Sequence, residues 1–375
     1  MFKVKVRKDE LAKAVSQCSS VVARRSTMDI FLRILLTVED YYLSLAATDL
    51  EVTLLTRIPA DVSGYGQVAI KPKAFADFLR LGSANEVVLD LGDNFTLNGF
   101  CGGFSASHFG VSAETFPRVS LPDDSEFVRI DAQALVDAID KTIYSVTGGD
   151  ETYNLKGIYL IREEEPDQPK CLRLVSTDAQ RLNIATVPAE NLDVFQEEGG
   201  ILVPRKGLQE LKAMCEPLAD IYLTTYDNSL VAKSENSLIK IRLLSGNFPS
   251  YKVIMPTELE HTIWANRKEL LETLKRISIL SDENYHFADF NFQKELLTVS
   301  STNPDLGKVK DSVGIDYDGP ETMTRFNPNF IVELLNTLKS DRVSFRFSDS
   351  NPSYLVTAPE DPGYSGVLVS VAYDV

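Results

Sequence analysis

The sequence predicts an α+β protein made of three copies of one domain, each with two helices packed on mainly antiparallel strands. Three observations carry this expectation: a threonine-centred triplet that recurs at near-constant spacing, an apolar helical pattern opened by a proline at a fixed distance beyond each triplet, and short β-rich runs bounded by turn residues.

The triplet appears as Ala47-Thr48-Asp49, Ser176-Thr177-Asp178 and, less closely, Ser301-Thr302-Asn303, at spacings of 129 and 125 residues. In the first two copies a Pro-Ala pair follows the threonine by eleven positions, at Pro59-Ala60 and Pro188-Ala189. A further proline, Pro72, Pro204 or Pro328, lies 24, 27 or 26 residues beyond its threonine and opens a helical pattern. Proline suits the first helical turn, where its missing N–H would have had no partner.

Each copy also begins with an amphipathic helix. Leu11, Val15 and Cys18, then Leu135, Ile139 and Ile143, then Leu270, Leu274 and Ile277 recur at i, i+4, i+7 or close to it. Between and after the two helices lie strand-like runs such as Tyr42-Leu43-Ser44-Leu45, Val87-Val88-Leu89-Asp90-Leu91 and Ile221-Tyr222-Leu223. Gly92-Asp93-Asn94 and Tyr226-Asp227-Asn228 mark turns between them. Matching segments close the first two copies, Phe116-Pro117 to Leu121-Pro122 and Phe248-Pro249 to Met255-Pro256. The polar joins at 120–126 and 256–262 place the expected domains at 1–122, 123–256 and 257–375.

Hydrophobic residues make up 44% and charged residues 25%, so a sizeable core is expected and extended disorder is not. The opening Met1-Phe2-Lys3-Val4-Lys5-Val6 alternates charge with apolar residues and does not read as a signal peptide, and no stretch is long enough to span a bilayer. Cys18, Cys101, Cys171 and Cys215 stand singly, which fits reduced, mostly buried thiols in a cytoplasmic protein.

The net charge of −16 argues at first against a nucleic-acid partner. Its distribution argues otherwise. The segments 8–25, 71–81, 131–142, 204–214, 266–280 and 328–339 together carry +6, leaving −22 on the rest. On the second helix Phe75, Phe78 and Leu79 share one face while Lys73, Asp77 and Arg80 fall opposite; Lys206 stands opposite Leu208 and Leu211, and Lys268, Lys275 and Arg276 lie away from Leu270 and Leu274. A solvated helix face accounts for any one of these, whereas repetition favours a shared, mildly positive lining that meets phosphates while acidic sheets repel them. Contacts of that kind read no bases and permit sliding.

No catalytic constellation is legible. His108, His261 and His286 lack metal-ligand spacing, no phosphate-binding glycine motif occurs, and Cys101-Gly102-Gly103 reads as a hairpin. The run Glu163-Glu164-Glu165-Pro166-Asp167 reads as a solvated loop, not as acid/base carboxylates. No serine or cysteine sits in a nucleophile motif. The expectation is a protein that is not an enzyme, with no catalytic residues, metal or cofactor.

Taken together, Thr48-Asp49-Leu50-Glu51, Tyr153-Asn154-Leu155-Lys156-Gly157-Ile158, Ser176-Thr177-Asp178 with Arg181-Leu182, Val203-Pro204-Arg205-Lys206-Gly207 and Gly246-Asn247-Phe248-Pro249-Ser250-Tyr251 are highly specific. Through them the chain resembles the bacterial DNA sliding clamp, the beta subunit of DNA polymerase III, over essentially its whole length. The resemblance implies three DNA-clamp domains and a head-to-tail homodimer that closes a ring with helices inside and sheets outside. It implies a processivity factor in DNA replication, cytoplasmic and nucleoid-associated, that encircles duplex DNA without sequence preference. A pocket between the second and third domains would take short linear peptides from the polymerase III alpha subunit, the clamp loader, other DNA polymerases and repair proteins.

Carried over by position, that pocket would be lined by Leu155, Thr177, Ala179, Gln180, Arg181, Leu182, Pro249, Val253, Ile254, Tyr285, Asn327, Phe330, Ser353, Val369, Ser370, Val371, Ala372 and Tyr373. Read without the resemblance, Leu155, Leu182 and Ile254 are plain core residues. DNA-facing residues would be Arg25, Lys73, Arg205 and Lys206, with Arg24, Arg80, Tyr153 and Lys275 as neighbours. At the ring joint, Cys101 and Gly103 stand where the family often has arginines, with Lys308 and Lys310 opposite, so Phe78, Phe104, Ile279 and Leu280 are expected to carry the contact by apolar packing. Ala179-Gln180 replaces the usual Gly-His, Val253 a basic residue, and Ser370-Val371-Ala372-Tyr373-Asp374-Val375 the usual ending. A diverged duplicate acting mainly as a peptide-binding hub is the alternative.

Overall fold

Alternation in the first strand, Phe2–Arg7, sends Phe2, Val4 and Val6 into the core and Lys3, Lys5 and Arg7 to solvent, and this pattern of one covered sheet face runs through the chain. The structure, a computed structural model, describes residues 1–120, 122, 127–146, 155–163, 170–195, 199–281 and 286–371. Six α-helices occur among them: α1 (Lys8–Val21), α2 (Pro72–Leu81), α3 (Ala132–Ile143), α4 (Arg205–Cys215), α5 (Arg267–Ile277) and α6 (Pro328–Thr337). They are the two helices per repeat that the spacing predicts. Pro72 and Pro328 open α2 and α6. Pro204 does not open α4; it ends the strand Ile201–Pro204, and the helix starts one residue later at Arg205.

Contacts divide the chain into two compact units, and the division runs through the middle repeat. One unit comprises residues 1–133, 189–198 and 206–243; the other comprises 134–188, 199–205 and 244–375. Sheet pairing explains the cut. In the first unit the strand Ser237–Arg242 pairs with Val52–Pro59, joining strands of the first and middle repeats into one eight-stranded antiparallel sheet. In the second, Arg181–Pro188 pairs with Ser365–Val369 inside a twelve-stranded sheet. Backbone hydrogen bonds thus weld each half of the middle repeat to its neighbour, across the joins seen in sequence.

The first unit also holds a five-stranded sheet whose outermost strands are Asp61–Gly64 and Phe104–Phe109. α1 buries Leu11, Ala14, Val15, Cys18 and Val21, and α2 buries Phe75, Phe78 and Leu79. Lys73 and Arg80 on α2 are exposed, as the helical spacing requires. Cys101-Gly102-Gly103-Phe104 is the expected hairpin: Cys101 pairs with Phe104, and Gly102 takes φ +62°, open to glycine without steric cost. In the second unit α5 and α6 pack over a core that includes Leu270, Leu274, Ile277, Ile331, Leu334 and Leu335. Asn266 caps α5 by accepting from the N–H groups of Lys268 and Glu269, and Asn327 caps α6 by accepting from Asn329. Cys18, Cys101 and Cys215 are free, buried thiols, and Cys171 is half-buried.

Candidate functional site

Threonine and aspartate in a strand-to-strand turn each bond backbone N–H groups further along, and the recurring triplet does this twice. Thr177 Oγ1 accepts from Ala179 N at 3.1 Å, and Asp178 Oδ1 accepts from Gln180 N at 3.1 Å and Arg181 N at 3.0 Å. This fixes Ala179 at φ +72°, a left-handed conformation that side-chain-bearing residues seldom adopt. The turn aims Arg181 inward. Its side chain is 7% exposed, and the guanidinium donates to Asp178 at 2.8 Å, Glu333 at 2.5 Å and the Tyr144 carbonyl at 3.1 Å and lies 4.1 Å from the Phe330 ring centroid. A buried guanidinium needs this many acceptors because an uncompensated one is strongly destabilising.

Around this turn the second unit gathers many of the residues carried over from the resemblance. Leu182 is buried with Val175, Ile184, Tyr251, Leu355 and Val367, and Ile254 packs against that cluster. Val369 N donates to Gln180 O at 3.0 Å, Ser353 pairs with Val369, and Val371 N donates to Arg325 O at 2.9 Å, which brings the last described residues beside the turn. Leu155 and Ser353 are buried, Pro249 is exposed, and Val253 is 84% exposed. Asn327 spends its side chain on capping α6. Tyr285, Ala372 and Tyr373 lie outside the described residues. The sequence reading missed Tyr144 and Glu333, which hold Arg181; neither sits in a repeated motif, and only the three-dimensional partnering reveals them.

The cations expected to face DNA separate into two groups. Arg24, Arg25 and Lys73 are exposed and make no side-chain hydrogen bond or ion pair among the described residues. Arg80 pairs with Asp77 at 2.8 Å, Lys275 with Glu272 at 3.1 Å, and Arg205 donates to Val146 O at 3.4 Å. Lys206 is only half exposed and binds Asp49, so it ties α4 to the first copy of the threonine turn. Tyr153 lies outside the described residues.

The four apolar residues expected at the joint also separate. Ile279 is 71% and Phe104 40% exposed, and Leu280 is half-buried. Phe78 is 3% exposed and belongs to its own core. Its ring lies 5.2 Å from Phe104 and so supports that residue from beneath. Phe100 and Phe109 are exposed on the same hairpin, which the sequence reading passed over because alternation alone does not tell which face of an edge strand is open.

The expected acidic loop begins inside a strand. Glu163 ends Gly157–Glu163, where its carboxylate is held by Arg173 and by Lys252 at 3.3 Å; Glu164, Glu165, Pro166 and Asp167 lie outside the described residues. Among the described residues one group has ligand atoms close enough for a metal, Glu260, His261 and Asp349, at the surface. No described helix is long and apolar enough to cross a membrane.

Three successive family models match the chain: the DNA polymerase III beta subunit N-terminal domain over residues 2–120, its central domain over 129–250 and its C-terminal domain over 252–371. A beta sliding clamp of Vibrio cholerae is 28% identical over 99% of this chain and 100% of its own length. The crystal structure of a Caulobacter crescentus beta sliding clamp, with polyethylene glycol at a putative beta-motif tethering region, matches with TM-score 0.91 at 25% identity over 99% of both chains. A Bartonella birtlesii sliding clamp bound to griselimycin matches with TM-score 0.92 at 21% identity over 100% of both chains, and at that identity it bears on the fold alone.

Proposed function

We propose, for a chain that belongs to the DNA polymerase III beta-subunit family and is a sliding clamp, that two copies close head to tail into a ring around duplex DNA. The domains are 1–122, 123–256 and 257–375. Ring closure joins two open strand edges. Phe104–Phe109 is the last strand of its sheet, and residues 307–313 pair on one side only among the described residues. The exposed Phe104, Phe109 and Ile279 supply apolar area for that joint.

Once closed, the ring holds DNA by topology, so its contacts need only be weak and screened. Arg24, Arg25 and Lys73 fit that role, being cations that no described carboxylate neutralises. The turn at Thr177–Arg181, with Leu182, Ile254, Phe330 and the strand ending at Val369, takes one apolar anchor of a partner's linear peptide and so tethers the polymerase, the clamp loader and repair proteins. The protein does no chemistry itself and works in the cytoplasm on the chromosome.

The observation that carries this reading is the succession of all three beta-subunit domains along one chain. Mass in solution combined with retention on circular and linear DNA tests it. A dimer that stays on a nicked circle and is lost from free ends is the expected result; a monomer, or equal retention on both, overturns it. The hub reading draws on the pairing of Arg80, Lys206 and Lys275 with carboxylates. It predicts a closed dimer that fails to stimulate its polymerase.

A further inference from the structure

We propose that the chain builds its peptide pocket twice, and that the copy in the first compact unit takes short acidic peptides with an apolar anchor. The inference rests on the reading of the Thr177 turn as part of a peptide pocket, and extends it to residues with different chemistry.

The repeat aligns Thr48, Asp49, Leu50 and Glu51 with Thr177, Asp178, Ala179 and Gln180, and the geometry follows the alignment. Thr48 Oγ1 accepts from Leu50 N at 3.1 Å, and Asp49 Oδ1 accepts from Glu51 N at 3.0 Å and Val52 N at 2.8 Å. Leu50 is held at φ +77°, the counterpart of Ala179 at +72°. The neighbouring strand is placed alike in both units: Arg242 N donates to Glu51 O at 2.8 Å, as Val369 N donates to Gln180 O at 3.0 Å. Arg242 therefore occupies the position of Val369, and Pro117 that of Pro249.

Beside this first turn lies a cleft of about 380 Å³ whose lining includes Thr48, Leu50, Pro117, Arg118, Lys240 and Arg242. Two features point to a ligand. Leu50 is 57% exposed on a left-handed backbone that side-chain-bearing residues seldom adopt, and it presents an apolar side chain to whatever enters. The walls are cationic where the second unit has valine. Lys240 bonds Asp227 at 3.0 Å, whereas Arg118 and Arg242 are exposed and make no side-chain hydrogen bond or ion pair among the described residues. Among the described residues, Glu51 and Asp227 are the carboxylates in the lining. Two free guanidiniums beside an exposed leucine match a peptide that carries carboxylates next to an apolar residue, since arginine forks bind carboxylates in bidentate fashion.

The test is fluorescence anisotropy on the full-length protein with a labelled hexapeptide alternating leucine and glutamate, and with its leucine–glutamine counterpart. The acidic peptide is expected to bind at least tenfold more tightly than the glutamine peptide. Arg118→Ala with Arg242→Ala should weaken it at least tenfold, and Arg118→Glu with Arg242→Glu should abolish it, with the melting temperature unchanged. Ile254→Asp, which strikes the second unit's pocket, should leave it unchanged while reducing stimulation of the polymerase. Binding that ignores the arginine variants, binding lost on Ile254→Asp, or no binding below about 1 mM each overturns the second site. Failure of Ile254→Asp to affect the polymerase counts instead against the first pocket, so the two readings fail separately.

Discussion

The guanidinium of Arg181 sits 4.1 Å from the centroid of the Phe330 ring while one of its nitrogens reaches Glu333 at 2.5 Å, so one side chain from the middle repeat clamps the ring and the carboxylate of α6. Asp178, 16% exposed, depends on the same group. Arg181→Ala should cost about 2–4 kcal/mol, because it strands a partly buried carboxylate and leaves the Tyr144 carbonyl without its donor. Arg181→Lys should recover less than half of that, since an ammonium cannot reach Asp178, Glu333 and the carbonyl together. Urea unfolding of the two variants decides it; equal stability of wild type and Arg181→Lys would show that the fork geometry is irrelevant.

The dimer should depend on area more than on charge. Phe104→Ala removes an exposed ring at the open edge and should raise the dimer Kd by about 10–100-fold, the equivalent of roughly 1.5–3 kcal/mol of lost burial. Ile279→Ala should act in the same direction. Sedimentation equilibrium from 0.05 to 0.5 M salt should find the wild-type Kd nearly flat, because the proposed joint has Cys101 and Gly103 in place of the arginines often found there and Lys308 and Lys310 in place of the acids, so it lacks those ion pairs. A Kd that climbs steeply with salt would assign closure to ion pairs.

Much of this fold was readable because three independent signals agreed. The apolar spacing of Leu11, Val15 and Cys18 found a helix, Pro72 and Pro328 marked two helix starts, and Gly102 marked a hairpin. What escaped was whatever depends on long-range pairing. Nothing local in Ser237–Arg242 says that it will pair with Val52–Pro59, so the joins at 120–126 and 256–262 looked like boundaries of compact units although the sheets run across them. Phe78 illustrates the same limit: its helical position shows that it leaves solvent, but not that it packs beneath Phe104. Lys206 looked free for the corresponding reason, because Asp49 is distant in sequence.

His108 gives the first unit a pH dependence. Its ring meets Phe75 at 5.1 Å and Phe78 at 5.6 Å, its Nε2 is buried with no hydrogen-bond partner among the described residues, and burial lowers its pKa below the usual 6.5. The unfolded chain therefore takes up a proton at higher pH than the folded one. The stability held by the neutral ring is complete above pH 6.5 and is lost as pH falls through the depressed folded value. Between pH 7.5 and 5 the melting temperature of the wild type should fall more steeply than that of His108→Leu. Parallel curves would remove His108 as the cause.

Gly207 in α4 sets helix propensity against packing, and packing should win. Alanine is the better helix former by about 1 kcal/mol, so an exposed glycine at this position would gain from the change. Gly207 is buried, however, and a Cβ built there would stand 2.2 Å from Cγ2 of Ile241, a branched side chain held inside the eight-stranded sheet. Relieving that overlap requires the helix or the strand Ser237–Arg242 to move, at roughly the 1–3 kcal/mol of overpacking a core, so after the helix gain Gly207→Ala should be destabilising by a net of up to about 2 kcal/mol. Ile241→Ala alone should cost about 2–5 kcal/mol through its cavity. Combined, the two changes should cost clearly less than their sum, since the alanine methyl then enters the space the isoleucine leaves. Strict additivity of the urea midpoints would mean that Gly207 and Ile241 are not in contact.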